Sequence, residues 1–270
     1  MTSTVATEAA PAFAPGSAAL TGPAGVPFGR LLRAELRKLT DTRSGRWLLV
    51  AMLAVTPIVD AVTLATAKPN TLTYAQFVDI TQSPQKFLLP LLGLLSVTTE
   101  WSQRTGLVTF TLEPDRVRVL RAKFAATLLL GLMVIVAVFA AAAVSNLLGV
   151  TLRHGNGNWS FGAGGVLDMG IIQLTGLVQS LAFGMLLLIS AAAIVAYYVL
   201  PTLSFLLLSS VPALASVKDW FDLNSAQTPL YNRDITGSGW AQVAVAVLIW
   251  VVLPAAAGVL RVLRSEIKSG

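Results

Sequence analysis

The sequence offers few residues with which to do chemistry. It has no cysteine and one histidine, His154, which excludes thiol nucleophiles, disulfides and Cys/His metal centres. Neither a G-x-x-x-x-G-K-[ST] phosphate loop nor a G-x-G-x-x-G turn occurs. The apolar stretches lack the carboxylate pair of an intramembrane aspartyl hydrolase or ion relay, and lack a serine with a nearby base. No catalytic residue and no metal site is expected, and the chain does not read as an enzyme. What remains is a set of polar residues in apolar company. Glu35 falls on the apolar arc of an otherwise amphipathic helix, with Lys38 three residues on. Asp60 sits inside a long apolar run, where a carboxylate at mid-bilayer costs about 2.5–3.5 kcal/mol on insertion scales. Gln173 and Gln179 punctuate a charge-free stretch. Such groups face protein or a water path more readily than lipid, so Asp60, Gln173 and Gln179 are candidate pathway residues. Helix–helix hydrogen bonding is the alternative role for the two glutamines.

The elements that position these residues follow from composition. Of 270 residues, 55% are hydrophobic and 12% charged, about half the charge of a soluble domain, and the mean hydropathy is +0.73. The natural solvent is a lipid bilayer. The net charge of +6 does not indicate nucleic acid, because the basic residues lie in the gaps between apolar runs, as membrane topology places them. Residues 1–27 form an Ala/Pro-rich stretch with Glu8 as its only charge. They read as a disordered cytoplasmic tail, not a signal peptide.

A spanning helix takes about 20 apolar residues. Six candidates are found, over 47–66, 86–99, 124–150, 168–189, 192–211 and 240–260; the second is short and carries Pro90. Backbone groups in lipid must be paired internally, and no alternating barrel pattern occurs. The expected class is therefore all-α, a polytopic membrane protein with six transmembrane helices. With the N-terminus inside, fourteen Lys and Arg fall in inner segments and five (Lys68, Lys86, Arg153, Lys218, Arg233) in outer ones, which predicts cytoplasmic termini in a cell membrane.

Three connecting segments carry a signal. Residues 28–46 begin FGRLLRAELRKLTD, with Phe28, Leu31, Leu32, Leu36 and Leu39 on one arc and Arg30, Arg33 and Arg37 opposite. This is an interfacial amphipathic helix. On it Glu35 either pairs locally with Lys38 or faces a protein partner. The inner loop 100–123, EWSQRTGLVTFTLEPDRVRVLRAK, is too apolar for a solvated linker and too charged for a span. It wants a partner surface or folds back on the membrane. The outer loop 212–239 contains Trp220, Phe221 and Tyr231, and its mixed composition suits short helices that gate an exit or cap the bundle.

The segments RAELRKLTDTRSGRWLL, EWSQRTG, LEPDRVRVLRAK and GVLRVLRSEIK, in this order around six apolar runs, resemble the permease subunits of ABC-2-type ABC exporters. The resemblance covers about residues 28–270. It implies the ABC-2 (type V exporter-like) fold and two separate ATP-binding subunits that carry ATP and Mg2+. It also implies a second permease copy or a homologous permease, and no cofactor in this chain. The loop 100–123 is similar to that family's coupling helix and 28–46 to its connecting helix. Glu35, Lys38, Glu100, Arg104, Gly106, Pro114, Arg116 and Lys123 would then transmit motion from the ATPase. Trp220, Phe221 and Tyr231 would belong to an extracellular gate. The implied function is export of an amphipathic or lipophilic substrate. The competing expectations are an ion-coupled secondary transporter and a membrane scaffold or sensor component.

Overall fold

The computed structural model describes residues 26–102 and 115–264. Among them there is no strand. Helix α1 (Phe28–Asp41) leads into α2 (Arg43–Thr66), and a one-turn 3-10 segment precedes α3 (Tyr74–Ser102). Then come α4 (Arg116–Arg153), α5 (Gly162–Leu187) and α6 (Ser190–Ser210). A 3-10 segment and two short helices, α7 (Lys218–Phe221) and α8 (Leu223–Asn232), lead to α9 (Gly237–Val247) and α10 (Leu253–Arg264). The last two are one continuous rod through a π-helical turn, Leu248–Val252. Pro254 stands just beyond that turn. It has no N–H to offer the preceding turn, and the N–H of Leu253 reaches back five residues to the carbonyl of Leu248.

Among the described residues, five helices are long and apolar enough to cross a membrane: α2, α4, α5, α6 and the α9–α10 rod. The chain is an all-α polytopic membrane protein. The apolar segment expected over 86–99 lies inside α3, which runs 29 residues through both Pro84 and Pro90. Its polar residues keep it out of that set of five. They are tolerable because α3 is the centre of the bundle, packed against α2, α4, α5 and α6, so that Thr81, Gln82, Gln85 and Thr98 are buried in protein. Lys86, expected at the outer end of the second span, instead stands twelve residues inside this helix. The charge-free stretch after Asp168 breaks at Leu188–Ile189, with Leu188 in the left-handed region (φ 58°).

The connections alternate between two ends of the bundle. At one end Arg116 donates to the carbonyls of Val262 and Leu263 at 3.1 and 3.2 Å, and Arg261 donates to the carbonyl of Leu186. At the other, Arg153 donates to Leu64 and Ala65 at 2.6 and 2.8 Å. Each guanidinium meets the last turn of a neighbouring helix, where free carbonyls and the negative end of the helix dipole gather. Close packing at the same first end needs glycine. A Cβ on Gly258 of α10 would lie 2.8 Å from the Cβ of Met185 and 2.9 Å from the backbone nitrogen of Leu186 on α5.

Helix α1 does not simply float on lipid. Its apolar residues Leu32, Leu36 and Leu39 pack on Leu92 of α3 and on Ala126 and Leu130 of α4. The corner into α2 is tight. Thr42 caps α2 by accepting from the N–H of Gly45 at 3.2 Å, and a Cβ on Gly45 would fall 2.0 Å from the carbonyl oxygen of Leu39.

Candidate functional site

The docking of α1 on α3 and α4 brings four charges of two signs into one ring. Lys38 Nζ lies 2.6 Å from Glu35 Oε1 and 2.6 Å from Glu100 Oε1. Lys123 Nζ lies 2.5 Å from Glu35 Oε2 and 3.2 Å from Glu100 Oε1, and donates to the carbonyl of Ser96 at 2.9 Å. An ammonium has three donors, and Lys123 has three partners for them. The side chains of Glu35 and Lys123 are 6% and 5% exposed, that of Glu100 11%, and that of Lys38 38%. The ring is neutral as a whole, which makes burial of its members tolerable. Burial pushes the Glu35 carboxyl up, but Lys123 and Lys38 outweigh it and hold the group below its ordinary value. Burial likewise pushes the Lys38 ammonium down, and Glu100 and Glu35 outweigh that and raise it.

This ring explains why Glu35 stands on the apolar arc of α1. It meets both its own helix neighbour, Lys38, and a partner 88 positions along the chain, Lys123. Of the residues expected to couple to an ATPase, Glu35, Lys38, Glu100 and Lys123 are gathered here. Arg116 is not: it caps the end of α10. Arg104, Gly106 and Pro114 lie outside the described residues. The ring stands at the bundle end where α3 finishes at Ser102 and α4 begins at Arg116. Asp115 caps α4 there, accepting from the N–H groups of Val117 and Arg118 at 3.0 and 3.2 Å. A force on the intervening chain would reach Glu100 and Lys123 through the helix ends that carry them.

The three expected pathway residues do not converge. Asp60 is buried, accepts from Thr81 Oγ1 and Ser145 Oγ at 2.8 Å each, and so ties α2 to α3 and α4. It lines a largely apolar groove of about 570 Å3 between α2 and α4. Gln173 lines a different cleft, among α3, α5, α6 and α8. Gln179 is buried on α5 with no hydrogen-bond partner for its Nε2. The expected gate residues also separate. Tyr231 lines the same cleft as Gln173. Trp220 and Phe221 stay exposed on α7, where the carbonyl of Phe221 accepts from Trp250 Nε1 at 2.7 Å.

Lys86, Gln227 and the pair Tyr197–Tyr198, none of them expected as site residues, all line the Gln173 cleft. A signal existed for Lys86. A lone lysine followed by FLLPLLGLL is better placed inside a helix than in front of one. Among the described residues no group of three or more His, Cys, Asp or Glu could hold a metal ion.

Compared with protein-family models, characterised proteins and solved structures, the chain matches none of them.

Proposed function

We propose that this chain is the membrane-spanning permease subunit of an ATP-driven exporter of the ABC-2 type, with α3 as a sixth crossing of the bilayer. Two copies, or this chain and a homologous permease, enclose a path across the cell membrane, and both termini of each face the cytoplasm. Two separate ATP-binding subunits hydrolyse ATP with Mg2+. The observation that carries this reading is the buried ring of Glu35, Lys38, Glu100 and Lys123. It joins α1 to the two helix ends between which residues 103–114 run. That segment includes Arg104, Gly106 and Pro114, the positions that resemble the coupling helix.

In this mechanism the ATP-binding subunits push on the 103–114 segment as they close. The push passes into α3 and α4. The ionic ring makes α1 follow them, so the three helices move as one body. Packed helix bundles switch between discrete arrangements rather than deforming continuously. The substrate, an amphipathic or lipophilic molecule, leaves toward the opposite end of the bundle.

The test is purification of the chain in mild detergent after expression with its genomic neighbours, as wild type and as Glu100→Gln and Arg104→Ala. The reading requires an ATPase to copurify, and its ATP turnover to lose its dependence on the permease in the variants while the complex still forms. A chain that purifies alone, with no ATPase acting on it, refutes the reading. The ion-coupled alternative rests on the buried carboxylate of Asp60. It predicts proton- or sodium-driven flux that Asp60→Asn abolishes.

A further inference from the structure

A second concave site lies toward the bundle end away from the ionic ring, walled by α3, α5, α6 and α8, with a volume of about 350 Å3. Two of the hydroxyls lining it, those of Tyr198 and Thr202, donate to backbone carbonyls, but two of its amide side chains are left unsatisfied. Gln173 is 4% exposed, yet neither its Nε2 nor its Oε1 has a partner. Gln227 is 4% exposed and its Nε2 has none. Buried amides are nearly always hydrogen-bonded, so two unsatisfied ones lining the same cleft need an explanation.

The cleft also holds a cation. Lys86 makes no ion pair among the described residues; its Nζ stands 4.2 Å from the centre of the Tyr231 ring. The carboxylate whose field reaches it, Asp79, is paired to Arg233 at 2.6 Å. No Asp or Glu lines the cleft. An ammonium and unsatisfied amide donors, with no acid among them, select an oxyanion.

The surroundings select for a tail as well. Pro90, Ile172 and Pro201 supply apolar wall. Phe87 stands at the rim, 63% exposed, stacked on Tyr198 with ring centres 6.3 Å apart. Lys86 lies twelve residues into α3, on the order of 18 Å along its axis from the helix start, well away from that end of the helix. A molecule arriving through the apolar flank already carries the hydrocarbon that stabilises it there.

We propose that this cleft binds the oxyanion head of an amphiphile, a carboxylate or phosphate on a hydrocarbon tail. Lys86 is the counter-ion, and Gln173 and Gln227 supply hydrogen bonds. The proposal concerns binding by this chain alone and does not require ATP-driven transport.

The test uses the purified full chain in a neutral sugar detergent, with tritiated oleate and oleoyl lysophosphatidate as probes. Oleyl alcohol serves as the uncharged comparison and inorganic phosphate as the tail-less one. Saturable binding of at least one anionic probe is expected, with oleyl alcohol at least about tenfold weaker. Losing a charge-assisted hydrogen bond corresponds to roughly a 10- to 100-fold loss of affinity, so Lys86→Gln should weaken binding by that factor. Lys86→Arg should keep it within about threefold. Gln173→Leu, which leaves the charge in place, should weaken binding about tenfold. Gel filtration and helix content confirm that each variant is folded, and Lys86→Arg and Gln173→Leu carry the test if Lys86→Gln is not. The proposal is overturned if neither anionic probe binds saturably, if oleyl alcohol binds as tightly, or if Lys86→Gln or Gln173→Leu, when folded, binds like wild type. Inorganic phosphate displacing the probe at equal concentration assigns the site to a soluble anion and overturns the amphiphile. If the chain couples to an ATPase but binds no anionic amphiphile, this inference fails and the permease reading stands.

Discussion

Replacing Lys123 with Met tests the ionic ring most directly. The change removes the better buried of the two cations and keeps much of the apolar stem. Glu35 Oε2 and the carbonyl of Ser96 lose their partner, and Lys38 is left to neutralise two carboxylates. Removing one member of a buried pair costs about 3–5 kcal/mol, because the other charge stays behind without compensation. At roughly 2–4 °C per kcal/mol for a chain of this size, the midpoint of thermal unfolding should fall by on the order of 10 °C. Replacing both partners, Glu35→Leu with Lys123→Met, removes one charge of each sign and leaves Lys38 facing Glu100. Buried pairs exchanged for apolar side chains are often neutral in stability, so the double variant should recover most of the loss. Even if Glu35→Leu alone cost nothing, that recovery sets the coupling energy of the cycle at about 2 kcal/mol or more. Lys38→Ala, at a position more than a third exposed, should cost less than about 1 kcal/mol. The assay is thermal unfolding in detergent, followed by fluorescence-detected gel filtration. A Lys123→Met protein within about 2 °C of wild type, or a cycle with no coupling, would refute the claim that the ring holds α1 to the bundle.

The same ring sets a pH window. Glu35 is held below its ordinary value of 4.5, so its contribution is complete above that pH and is lost as pH falls through the lowered value. Lys38 is held above its ordinary 10.5, so its contribution is complete below that pH and disappears as pH rises through the raised value. Thermal midpoints measured against pH should form a plateau between these limits, with the acid-side decline reduced in Glu35→Gln; a curve identical to wild type in that variant contradicts the assignment. Asp60→Ala leaves the hydroxyls of Thr81 and Ser145 without their acceptor and should destabilise by about 1–3 kcal/mol, with Asp60→Asn in between; equal midpoints for all three proteins would show that Asp60 is no tie between helices. Gly45→Ala places a Cβ against the Leu39 carbonyl and should cost about 1–3 kcal/mol by opening the α1–α2 corner, read as faster proteolysis at residues 41–45; unchanged proteolysis and stability would show that the corner yields freely.

Much of the fold was legible because hydropathy is a local property. Long apolar runs with few charges fix the helical membrane class without any tertiary information, since lipid leaves backbone groups no other partner. The anomaly at Glu35 was visible too, because helix periodicity alone places it on the wrong face of α1. Its resolution was not, since Lys123 lies 88 positions away and nothing local distinguishes it from the arginines around it. The central place of α3 was hidden for the opposite reason. Hydropathy weighs each side chain as though it faced lipid, whereas Thr81, Gln82 and Gln85 face protein. The segment therefore reads as a short, interrupted apolar run instead of the middle of the bundle. The same averaging made Lys86 look like a flanking charge. Composition, class and the odd position of Glu35 belonged to the sequence. Which charges meet, which amides are left without partners and which helix lies at the centre were decided by packing, because each depends on residues that only the tertiary structure brings within a few ångströms of one another.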